Sequence, residues 1–185
     1  MSDEIISRLS RQSSDMVRVL VSRRVAALSR NCESPIEVSL GAALMVAWQL
    51  DSDGWFQPRG GPLVLSGDDR QEYKVYVRAG DNILIPQYRI AGYRLDFLLM
   101  HHIAGGRYWK AAIECDGHEF HEKTKEQASR DKARDRAITT ENIAVFRFSG
   151  SEIHRDAFAC AAEIIAAADS ASEAELLRDM PGDDL

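Results

Sequence analysis

The feature that most limits what this chain can fold into is a switch in apolar period. Up to residue 50, apolar residues recur at helical spacing. From residue 72 to residue 116 they alternate, or run in short blocks closed by turns. "EYKVYVR" alternates polar and apolar residues. "NILIPQYRI" and "GYRLDFLLMHH" read as strands joined by the turn Ala91–Gly92, and "GGRYWKAAIECDG" reads as another strand behind a Gly-Gly turn. A polar helix, "EKTKEQASRDKARDRAITTE", comes next, then the short apolar strand "NIAVFRFSG". An amphipathic Ala-rich helix follows, "SEIHRDAFACAAEIIAAADS", opened by Ser151 or Ser149. Strands linked as hairpins and then by a helical crossover imply a mixed sheet. The expected fold class is α+β: a central mixed sheet of four to five strands, flanked by helices in a three-layer arrangement.

Two helices precede the sheet. Ile5, Leu9, Met16, Leu20 and Val25 keep near-helical spacing, with a break in reach at Ser13–Ser14. In "ESPIEVSLGAALMVAWQL" Ser34 can cap the second helix, Pro35 suits its first turn, and Glu37 stands where a capping box wants an acid. Residues 51–70, rich in Gly, Asp and Pro, read as a loop, and "DMPGDDL" as a frayed end. With 185 residues, 45% of them apolar, one domain with its own core is expected. No apolar run approaches a membrane span, and "MSDEIISRL" lacks the basic-then-apolar layout of a signal peptide, so no membrane partner is expected. Three widely spaced cysteines argue for a reducing, cytoplasmic setting and against a disulfide framework.

The net charge of −6 disguises an uneven distribution. Residues 2–31 carry six arginines against Asp3, Glu4 and Asp15, a local +3, whereas residues 150–185 carry nine acids against Arg155 and Arg178, a local −7. The chain before the acidic tail is then +1, since −6 minus −7 is +1, and net charge does not exclude a nucleic-acid partner.

The chemistry concentrates in "IECDGHEFH", residues 113–121, where a strand runs into a dense polar cluster. Asp96, flanked by Leu95 and Phe97, is assigned by alternation to the face of Arg94 and Leu98. Glu114 ends the next strand and Asp116 follows two positions on. If the two strands are hairpin neighbours, Asp96 and Glu114 converge, and converging carboxylates repel unless a positive charge lies between them. Oxygen-rich sites of this kind suit Mg²⁺ or Mn²⁺, which polarise phosphates and lower the pKa of bound water.

These residues resemble the PD-(D/E)XK, or restriction-endonuclease-like, superfamily, and within it the group related to very short patch repair endonucleases. The resemblance rests on Ser34–Glu37, Tyr93–Phe97, Ile113–His121, Arg130–Asp131 or Arg134–Asp135, and Val145–Phe148, in that order, and covers residues 34 to about 153. It implies a metal-dependent nuclease that hydrolyses DNA phosphodiesters, in DNA repair or restriction, with Mg²⁺ or Mn²⁺ as cofactor. It also implies a nuclease-like core over 34–153, a helical extension over 1–33 and a C-terminal helix with acidic tail over 154–185. Metal ligation would fall to Asp96, Glu114, Asp116 and Glu37. Catalysis would draw on Asp96, Glu114 and Asp116, with His121 or Lys110 handling protons. Lys123, Lys125, Arg130, Lys132, Arg134 and Arg147 would meet the nucleic acid. The chain departs from the pattern at one place: Asp116 stands where the lysine of E-x-K is usual. The rival expectation is a nuclease-fold module that binds nucleic acid or protein without cutting. Either leaves room for a homodimer through the first and last helices.

Each assignment has a plainer alternative. Asp96 can pair with Arg94, Glu37 can serve the capping box alone, and Arg147 can pair with a helix acid. The six bases and three acids of "KTKEQASRDKARDR" can form a solvated face. Cys115, His118 and His121 have the spacing of zinc ligands but lack a fourth. Trp48, Trp55 and Trp109 suit core or interface positions.

Overall fold

The computed structural model describes residues 2–50, 63–64, 82–103, 106–117 and 125–179. Helices α1 (Ser2–Leu28) and α2 (Pro35–Leu50) lead into strands β1 (Leu63–Val64), β2 (Ile83–Ile90), β3 (Tyr93–His102) and β4 (Tyr108–Asp116). Helix α3 (Lys125–Thr140), strand β5 (Ala144–Ser149) and helix α4 (Gly150–Asp179) complete the order. The fold is α+β, as the apolar periods imply. β2, β3 and β4 form an antiparallel meander, β5 joins β4 in parallel after the α3 crossover, and the short β1 lies parallel on the far edge. The "EYKVYVR" segment, Trp55 and the last residues lie outside the described residues. No helix among the described residues is long and apolar enough to cross a membrane.

Local chemistry explains the joints. Ala91 and Gly92 both have positive φ (49° and 80°), which a two-residue hairpin turn requires to match strand twist. α1 runs through Ser13–Ser14 without a break. Ser149, rather than Ser151, opens α4: its hydroxyl accepts from Glu152 N at 3.3 Å while Glu152 Oε2 accepts from Ser149 N at 2.8 Å, a capping box. α4 is interrupted at Asp156 (φ −160°, ψ 88°), whose Oδ1 accepts from Ala159 N at 3.0 Å and caps the longer second part.

The sheet separates two apolar layers. On one face Leu28 of α1, Leu40, Leu44 and Met45 of α2, and Ile153, Ala161 and Ile164 of α4 pack on Leu84, Phe97, Leu99, Ala111 and Ile113. On the other, Ile138 of α3 and Ile143 cover Ile83, Ile85, Leu95, Leu98 and Ala112. Gly41 sets how closely α2 sits: a Cβ there would lie 2.9 Å from Leu28 Cδ1 and 3.0 Å from Phe97 Cζ. A side chain there would require Leu28 and Phe97 to shift beside the strand that carries Asp96.

Candidate active site

The β3–β4 ladder runs from His102↔Tyr108 to Phe97↔Ile113 and stops there. Beyond that pair β3 keeps to β2 as far as Tyr93, and β4 keeps to β5 as far as Asp116. The two strands thus fork, and Asp96 and Glu114 are the next residues on either side of the opening. Asp96 bridges it: its Oδ2 accepts from Cys115 N at 2.7 Å, in place of a backbone carbonyl.

Simple alternation fails around Asp96. Leu95 and Leu98 share the α3-side cluster, whereas Phe97 and Leu99 belong to the α2 side. The period therefore slips once between Leu95 and Phe97. β2 slips opposite it. Ile85 and Tyr88 both face α3, and between them Gln87, opposite Asp96 in the register, has φ +52°. A left-handed glutamine costs about 1–2 kcal/mol, so the backbone is held there by its surroundings. Its amide Nε2 donates to Glu37 Oε2 at 2.8 Å. Pro86, a residue that interrupts ladders, was the one sequence signal for this distortion.

Glu37 is 5% exposed and anchors the α1–α2 junction. Its Oε1 accepts from Ser34 Oγ at 2.7 Å, and its Oε2 accepts from Glu33 N at 3.0 Å as well as from Gln87. Glu37 N donates to Ser34 Oγ at 3.3 Å, so the capping-box role is met. Glu33 in turn forms a two-pronged pair with Arg94, both contacts 2.6 Å, so Arg94 is not the partner of Asp96.

Glu114, 5% exposed, lies on the opposite face, two positions from Ala112, and is met by Arg134 of α3. Arg134 Nη2 donates both to Glu114 Oε1 and, at 2.7 Å, to the Arg94 carbonyl on β3. One guanidinium thus spans the fork. Asp96 Oδ1 and Glu114 Oε2 accept no hydrogen bond from a described residue. Burial pushes the Glu114 carboxyl up to about 7; Arg134 opposes this, and the Asp96 charge reinforces it. Asp96 is also held above its ordinary value, by burial first and by Glu37, against the Cys115 N–H and Arg134. Glu37 thus stands on the α2 side of the sheet and Glu114 on the α3 side, with Asp96 at the fork, bonded to Cys115 N.

That geometry decides the fate of the larger ligand set. Among the described residues no three His, Cys, Asp or Glu side chains come together as a metal-holding group. Glu37 is spent on hydrogen bonds, and Asp116 is exposed at the strand end, beside Ser149. Among the described residues, the pair that could hold a hard divalent cation is Asp96 and Glu114, each with one oxygen that accepts no hydrogen bond from them. Mg²⁺ is commonly held by one or two carboxylates, with water and phosphate oxygens completing its shell.

Of the remaining candidates, Lys110 lies on the α3 face of β4 without a hydrogen bond to either acid, and Lys132 is exposed on α3. Arg147 pairs with Asp135 at 2.5 Å, the helix-acid partner anticipated for it. His118, His121 and Lys123, and the side chains of Lys125 and Arg130, lie outside the described residues. Cys115 faces the α2 layer, away from Glu114. Burial and the surrounding acids raise its pKa far above the ordinary thiol value and push Cys32 up to about 12. No family model, curated protein or solved structure matches this chain.

Proposed function

We propose that the protein is a divalent-metal-dependent nuclease that hydrolyses DNA phosphodiesters, of the restriction-endonuclease-like kind its motifs resemble. The observation that carries this reading is the fork. A paired ladder opens at the point where buried Glu114 and half-buried Asp96 are the next residues on either side, and burial holds both above their ordinary pKa. A structural ion pair would call for neither the opening nor the surplus acid. The helix-flanked mixed sheet that the resemblance implies is also consistent with this arrangement.

When bound, Mg²⁺ or Mn²⁺ would polarise the scissile phosphate and supply a water of lowered pKa. Asp96 and Glu114 would hold it through Oδ1 and Oε2. The Cys115 N–H fixes the rotamer of Asp96 by taking its other oxygen. Glu37 and Gln87 brace the distorted β2–β3 segment from behind. Arg134 and the exposed Lys132 and Arg94 provide positive charge for the phosphate backbone.

Purified protein, incubated with supercoiled plasmid, single-stranded DNA and RNA with and without Mn²⁺, tests the reading. DNA nicking that needs Mn²⁺ and disappears in Asp96→Ala and Glu114→Ala, with the fold intact by circular dichroism, is the expected result. Cleavage retained in both variants rejects the scheme.

One observation favours a second reading, a nuclease-fold module that binds without cutting. Arg134 already lies where a cation would be needed, and the usual lysine position holds Asp116. Under that reading the protein binds DNA in gel-shift assays, but Mn²⁺ neither raises its melting temperature nor produces nicks.

A further inference from the structure

The fork already contains a cation of the protein's own, held in an incomplete way. Arg134 uses a single nitrogen, Nη2, for both of its acceptors, Glu114 Oε1 and the Arg94 carbonyl. Its Nε is buried without a hydrogen-bond partner. The same molecule shows what a committed pair looks like: Arg94 and Glu33 join through two nitrogens and two oxygens, in the open, at 2.6 Å each. A guanidinium bound end-on forgoes the two-pronged geometry that makes arginine–carboxylate pairs strong, and a buried N–H left unsatisfied is destabilising. Among the described residues Arg134 is the arginine paired with Glu114, whereas Arg94 is engaged by Glu33 and Arg147 by Asp135. The Arg134 side chain is 23% exposed against 6% for Glu114, so the guanidinium has a path outward that the acid lacks.

We propose that Arg134 is a displaceable internal counter-ion: its guanidinium and a divalent cation compete for Glu114, and Arg134 sets how weakly the ion binds. The inference rests on the reading of the fork as a metal site. In the ion-free protein Arg134 keeps the two acids from driving the strands apart. Once released from Glu114, its guanidinium would present the two-nitrogen edge that grips a phosphate.

The test is direct Mn²⁺ binding to metal-stripped full-length protein, read from the electron paramagnetic resonance signal of free Mn²⁺, with no nucleic acid present. Arg134→Gln, which removes the charge and keeps a donor, should bind Mn²⁺ roughly tenfold or more tightly than wild type. Arg134→Lys, which keeps the charge, should stay within about threefold of wild type. Asp96→Asn, added to Arg134→Gln, should remove the gain. In wild-type protein the Arg134 Nε–H resonance, assigned by its loss in Arg134→Lys, should move on Mg²⁺ titration; this measurement holds even if Arg134→Gln does not fold. Asp96-dependent Mn²⁺ binding that is unchanged in Arg134→Gln, or an Arg134 resonance that stays still while the ion binds, overturns the counter-ion and leaves the metal reading in place. Absence of Asp96-dependent Mn²⁺ binding in both wild type and Arg134→Gln overturns the metal reading itself.

Discussion

The β3–β4 pair is built differently at its two ends. At one end the ladder is closed through His101↔Trp109 and His102↔Tyr108, and among the described residues no buried polar side-chain atom there lacks a hydrogen-bond partner. His101, 3% exposed, places Nδ1 3.0 Å from Asn82 Oδ1 and Nε2 2.8 Å from Ser172 Oγ, while Asn82 Oδ1 also accepts from His102 N at 2.9 Å. Buried Glu175 is balanced by Arg107 and Arg178, beside a cavity of about 460 Å³ lined in part by Tyr108, Trp109 and Asn142. At the other end the strands part, and Arg134, the partner of Glu114, has its Nε buried without a hydrogen-bond partner. Both ends bury polar groups, but among the described residues the open end leaves one unsatisfied. A satisfied buried network ties elements together, whereas an unsatisfied one stores affinity for something the chain does not supply.

Four substitutions or conditions can break or sharpen that contrast. The largest effect is expected on catalysis at the open end: Asp96→Asn or Glu114→Gln should lower Mn²⁺-dependent nicking by roughly 10²–10³-fold, while His101→Leu leaves it within about twofold. Equal losses at both ends, measured in initial rates, would erase the distinction. Next is stability at the closed end. His101→Ala removes a partner from both Asn82 and Ser172 and opens a hole beside Trp48, so it should cost about 2–4 kcal/mol in urea unfolding.

The third concerns pH. Glu114 and Asp96 bind protons more tightly in the folded chain than in the unfolded one, because burial and mutual repulsion raise their pKa values. Their contribution to stability is therefore fully present below the unfolded carboxylate range and is lost as pH rises toward about 7. The loss should be on the order of 2–3 kcal/mol, and Asp96→Asn should reduce it. A flat stability profile between pH 4.5 and 7.5 would show that Arg134 neutralises Glu114 fully. The smallest effect belongs to the exposed Glu33–Arg94 pair, half accessible on both sides. Glu33→Gln should change the melting temperature by no more than about 1 kcal/mol allows, despite its two-pronged geometry.

Much of this molecule follows from the order of its residues. The switch of apolar period marks helices and strands, the Ala91–Gly92 pair sets a tight hairpin, and Ser34 and Glu37 start α2, because each depends on neighbours a few positions away. That Asp96 and Glu114 are neighbours at the end of the β3–β4 ladder was legible too, since a hairpin with a short turn fixes which residues lie across from each other. Three features were decided only by the folded chain. Alternation breaks at Asp96 because β2 and β3 slip together around Gln87, a register event no single strand encodes. Glu37 and Glu114 came to opposite faces of the sheet because α2 and α3 pack on different layers, which separates acids that motif order had grouped. Arg134 entered the fork rather than the solvated face of its helix because desolvated carboxylates attract the nearest cation, and proximity across 20 residues of chain is a property of packing.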